Sequence, residues 1–186
     1  MRLAASLSAL VACAALASMV GCNVVPSRDP TGESLPDAAG RTLAGDRITL
    51  AGALDGRPAV FFLPFTGDAQ LDGDRWALGL HQLGTPIRTF ELGVVPSTAG
   101  VLLAPVVDHA RRKARAEVTW PTTLVFIGDP ADAIATQTGM GRAEFVRVLL
   151  VDGSGRIVWF NDEGFTPDRV ADLDRRAREL AAAPES

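Results

Sequence analysis

Apolar residues in this chain fall into two kinds of run. Ala59-Val60-Phe61-Phe62-Leu63-Pro64-Phe65 is continuous, which predicts a strand buried on both faces. Shorter strand-like runs follow at 89–95, 122–127 and 146–151, with 47–50 ahead of them as a short opening strand. Residues 156–160 complete a hairpin with 146–151, across the turn Asp152-Gly153-Ser154-Gly155. Between the strands the apolar spacing widens to helical. Thr66-Gly67-Asp68 can cap a helix over 69–82, and Pro105 can open one over 105–116. Asp129-Pro130 starts another to 138, and Thr166-Pro167-Asp168 is a helix start with cap, proline and first-turn acid in sequence. Val170, Leu173, Ala177 and Leu180 then lie on one face. The resulting order is β, β, α, β, α, β, α, β, β, α. It predicts an α/β domain with a mixed central sheet and helices on both faces.

The N-terminus has a different pattern. Arg2 is followed by an uncharged stretch, small and apolar, that closes on Met19-Val20-Gly21-Cys22. It resembles a bacterial lipoprotein signal, with Met19 where Leu is usual. The resemblance implies that 1–21 is a signal peptide and that Cys22 carries a lipid anchor. That anchor would hold the rest of the chain on a membrane of the cell envelope, outside the cytoplasm. Prolines 26, 30 and 36 with Gly32 suggest a flexible tether over 22–42. The folded domain is then expected at 43–182, with 183–186 as a frayed tail.

Cysteine usage sharpens this picture. The chain holds two cysteines, Cys13 and Cys22. If the first leaves with the signal and the second carries lipid, no thiol remains for a disulfide, a nucleophile or a metal. The formal charge of −4 is spread among 18 basic and 22 acidic residues, which argues against nucleic acid as a partner. His81 and His109 are the only histidines and lack metal-ligand spacing. Asp68, Asp72 and Asp74 do not match a calcium-loop spacing and suit a helix N-terminus. The run Arg111, Arg112, Lys113 and Arg115 fits a solvated helix end. Gly139-Met140-Gly141 lacks the third glycine of a dinucleotide loop. No metal and no cofactor is expected.

The stretches GDRITLAGALDGRPAVFFLPF and VRVLLVDGSGRIVWFNDEGFTPDRVADL resemble the opening and closing parts of thioredoxin-like domains, in their peroxiredoxin-like variant. Within that superfamily the stretch from Leu150 to Trp159 resembles the ATP10-like group, which is linked to assembly of a membrane ATP synthase. The resemblance implies a thioredoxin-like fold over most of 43–180. It also locates the departure. Where a thioredoxin-like oxidoreductase carries Cys-x-x-Cys after the buried strand, this chain reads Phe65-Thr66-Gly67-Asp68-Ala69-Gln70. Arg147 stands near the arginine that supports the thiolate in peroxiredoxins. These features suggest a domain without thiol catalysis that binds another protein, with a small-ligand cleft or non-thiol enzyme as the alternatives. The binding candidates are Thr66, Gly67, Asp68 and Arg147 at that cleft and Trp159 on the outer hairpin.

Overall fold

The computed structural model describes residues 25–96 and 98–182. The strands are β1 (Ala39–Thr42), β2 (Arg47–Thr49), β3 (Ala59–Leu63), β4 (Arg88–Val95), β5 (Thr123–Ile127), β6 (Arg147–Val151) and β7 (Ile157–Asn161). They form one sheet in the order β2-β1-β5-β4-β3-β6-β7. β3, β4 and β5 are parallel, whereas β6, β7 and the β1–β2 hairpin are antiparallel additions. The helices are α1 (Leu50–Leu54), α2 (Gly67–Leu83), α3 (Thr98–Ala114), α4 (Asp129–Thr138) and α5 (Pro167–Ala182), with a 3-10 turn at Glu117–Thr122.

Alternation along the strands sorts the core into two layers. Phe61, Leu63, Leu92, Leu124, Phe126 and Leu149 face α1 and α4. Val60, Phe62, Val148 and Leu150 face α2 and α5, where they meet Trp76, Leu80, Val170 and Leu173. The mixed sheet with helices on both faces is therefore present as expected. Both faces of β3 are buried because it lies between β4 and β6 under both helix layers.

Three expectations need correction. Residues 25–42 are not a tether. Gly32 donates to the Ile157 carbonyl at 2.8 Å, Ile157 to Glu33 at 2.8 Å and Leu35 to Gly155 at 2.8 Å. β1 then inserts beside β5. The prolines are compatible with this because only scattered amides of the segment need to pair. The opening strand is also shorter than expected. It ends at Thr49, which also caps α1, its hydroxyl accepting from the Gly52 amide at 3.0 Å. Pro105, expected at a helix start, lies inside α3. The signal at 1–21, Cys22 and the tail 183–186 lie outside the described residues. No helix among the described residues is long and apolar enough to cross a membrane.

Candidate functional site

The β3–α2 junction is built by capping. Thr66 is extended, and its hydroxyl accepts from the Ala69 amide at 3.2 Å. That hydroxyl also donates to the Ala143 carbonyl at 2.8 Å, so the cap is fastened to the α4–β6 loop. Gly67 and Asp68 form the exposed first turn, where the Asp68 charge suits the helix dipole. Thr66, Gly67 and Asp68 therefore come together as one exposed tip.

Arg147 stands opposite Leu63 in the β3–β6 register, directly behind that tip. Its side chain is 0% exposed. Its Nε donates to the Gly139 carbonyl at 2.8 Å, and Nη1 to Arg142 and Phe145 carbonyls at 3.2 Å each. The guanidinium lies 4.8 Å from the centre of the Phe65 ring. Burial lowers its pKa, while Asp162 and Glu144 act the other way. Arg147 thus holds the 139–145 loop in shape from behind, beneath the surface that Thr66, Gly67 and Asp68 present.

The gap expected between 66–70 and 146–147 is closed. Val146 is fully buried, and its amide donates to Asp72 Oδ2 at 3.2 Å. Asp72 Oδ1 accepts from the Phe165 amide at 2.9 Å. A Cβ on Gly73 would come within 3.3 Å of the Val146 side chain, so α2 packs directly on the start of β6. A hollow of about 160 Å³ lies to one side, where Gln70, Asp74, Glu91 and Arg115 meet Phe62 and Phe90. That volume is below the range usual for a small-molecule site.

The outer hairpin edge is occupied as well. Residues 32–35 pair along Gly155–Ile157. Trp159 Nε1 donates to Asp172 Oδ2 at 3.0 Å, and its ring meets Trp76 edge-on at 5.9 Å. Trp159 therefore fastens α5 to β7. Desolvation would raise the Asp172 pKa, but hydrogen bonds from Arg175, Arg176 and Trp159 outweigh it and hold the carboxyl below its ordinary value.

The three aspartates go separate ways: Asp68 to solvent, Asp72 into the core and Asp74 to Arg115 at 3.1 Å. Among the described residues no three His, Cys, Asp or Glu side chains gather as a metal site. The basic run is divided too. Arg115 bridges Glu91 and Asp74, Arg111 lies 3.7 Å from Glu91, and Arg112 lies over Trp120 at 5.4 Å. Desolvation lowers the Arg111 pKa; in Arg115 the bonds to Glu91 and Asp74 outweigh it, and the pKa is raised. Glu91 and Asp72 had not been singled out for these contacts. The signal for Glu91 was a lone acid inside the apolar strand 88–95.

The strand order, the antiparallel closing hairpin and the helix that starts straight after the central strand define a thioredoxin-like fold. Solved structures share it. BsSco, of the Sco family of cytochrome c oxidase assembly proteins, is similar at 11% identity over 83% of this chain and 96% of that one, TM-score 0.56. A SCO1/SenC family lipoprotein from Bacillus anthracis is similar at 15% identity over 83% and 99%, TM-score 0.56. The thioredoxin domain of a thiol-disulfide oxidoreductase from Bacteroides vulgatus is similar at 14% over 79% and 97%, TM-score 0.52. No protein-family model and no curated protein matches the sequence.

Proposed function

We propose that this is a lipid-anchored, thioredoxin-like domain without thiol chemistry that binds a partner protein, in service of a membrane complex being assembled. One observation carries the reading. The exposed tip where a thioredoxin-like enzyme bears its cysteines is Thr66-Gly67-Asp68, and the Thr66 hydroxyl is already committed to a helix cap and to Ala143. A tip without a nucleophile keeps its exposure and its rigid support, which are what a docking surface needs. Fold neighbours that include a lipoprotein and a member of an oxidase-assembly family support the anchor and the assembly role. The ATP10-like resemblance of 150–159 supports the same kind of role.

The purified mature protein is expected neither to reduce insulin disulfides nor to consume peroxide by a thiol route, since both need a thiolate. Robust turnover would instead promote a non-thiol enzyme. Capture from detergent-solubilised membranes should recover subunits of one membrane complex, and Asp68→Arg should reduce that recovery without lowering the protein's stability. Equal recovery by the folded variant would move the docking surface elsewhere.

The anchor has its own test. Cys22→Ala should abolish incorporation of labelled fatty acid and release the protein from membranes, because the lipid has no other attachment point. Label persisting in the variant would refute the anchor.

A further inference from the structure

The segment that follows Cys22 is docked from its first described residue. The Met140 amide donates to the Val25 carbonyl at 2.9 Å. Pro26, Ser27 and Arg28 lie so close on Gly139 and Gly141 that a Cβ on either glycine would stand 2.3 Å from the Pro26 carbonyl oxygen or 2.6 Å from Ser27 Oγ. Ser27, Arg28 and Asp29 also line a surface hollow with Arg142, Phe160 and Asp162. The strap then runs the length of the sheet, and its residues 32–35 pair beside the hairpin turn at the far end. Gln137 Nε2 fixes the same stretch by donating to the Ser34 carbonyl at 2.7 Å.

The two ends of the domain are chemically distinct. The 139–145 loop, the start of β6 and the Thr66–Asp68 tip share one end, because Leu63 pairs with Arg147 and Thr66 bonds Ala143. The turn at Asp152–Gly155 and the C-terminus of α2 share the other. Val25 docks at the first end. From Cys22 to Val25 are three chain steps, which reach at most about 11 Å.

Resting on the lipid anchor proposed above, we infer that the strap holds the Thr66–Asp68 end against the bilayer. The domain then stands close on the membrane and does not sample the space that a free tether over 22–42 would allow. A chain of that length would drift over roughly 25 Å. The partner that meets Thr66, Gly67 and Asp68 is accordingly a segment of an integral membrane protein lying at the bilayer surface. A soluble protein approaching from the aqueous side would face the opposite end.

Fluorescence transfer from the lipidated protein to acceptor lipids in vesicles tests this. Asp68→Cys and Gln82→Cys place a single donor at opposite ends of α2, both on exposed positions and about 21 Å apart along the helix. Labelling is confined to the introduced thiol because Cys22 is acylated. Transfer from position 68 should exceed that from position 82 roughly twofold, given that separation. Gly141→Val puts a side chain into Ser27 without requiring a left-handed backbone, and should shrink the difference by releasing the strap. Equal transfer from both positions in protein that floats with the vesicles overturns the orientation and leaves the anchor standing. An unchanged difference in Gly141→Val overturns the role of the strap. Protein that carries no acyl label and does not float overturns the anchor, and the orientation with it.

Discussion

Arg147→Met is expected to destabilise the domain by about 3 kcal/mol. The substitution keeps much of the apolar stem but strips the Gly139 and Phe145 carbonyls of this donor, while the Arg142 carbonyl keeps the Phe145 amide. A buried acceptor stripped of its partner costs about 1–3 kcal/mol. Two effects oppose that loss. The guanidinium is a buried charge whose ionised form burial disfavours, and its Nη2 has no hydrogen-bond partner among the described residues. Two stripped carbonyls outweigh one unpaired donor, so the sign stays destabilising. Arg147→Lys should not restore stability, because one ammonium cannot span three carbonyls set around a planar fork. Urea unfolding of the three proteins reads the effect. A loss within experimental error for Arg147→Met would show that the 139–145 loop holds its shape without the arginine.

Trp76→Ala should cost more, about 3–5 kcal/mol, the usual loss for a large aromatic removed from a core. Trp76 is 0% exposed and meets both Trp159 and Phe165 edge-on, at 5.9 and 6.0 Å. It is the wedge that α2 sets against β7 and the segment just before α5. Trp76→Phe should be far milder. The indole N–H is buried with no partner among the described residues, so phenylalanine removes a cost while leaving a smaller cavity. Thermal unfolding followed by near-ultraviolet circular dichroism should separate the two variants clearly. Similar losses for both would mean that the indole nitrogen has an acceptor, water included.

These two residues also mark how far the sequence could be read. Trp76 lies on one helical face with the buried Ala69, Asp72 and Leu80, a spacing that is visible in the sequence. Arg147 was expected at a recognition cleft, by analogy with the arginine of peroxiredoxins. Its neighbours Val146 and Val148 are apolar, and that was the available signal that the whole strand is buried. The tertiary pairing with Leu63 and the shape of the 139–145 loop decide where its guanidinium goes.

By itself the sequence determined the order of elements from β3 to α5, the two-faced burial of β3, the hairpin around Asp152–Gly155 and the strong start of α5, but neither β1 nor α1. Each of these depends on local periodicity, capping or turn chemistry, which act within a few residues. It also determined that the Thr66–Asp68 tip has no cysteine. The tertiary structure alone decided the rest. Residues 25–42 read as a tether because prolines and polar residues give no periodic signal, yet their backbone finds partners on β5, β7 and the 139–141 loop. The acids at 68, 72 and 74 looked like one cluster, but a helix turns about 100° per residue and sends them to solvent, core and Arg115. Glu91 pairs with Arg111 on α3 and with Arg115 just past its end, some twenty residues away. Such long-range contacts leave no local pattern, because they are set by which surfaces the sheet and helices bring together.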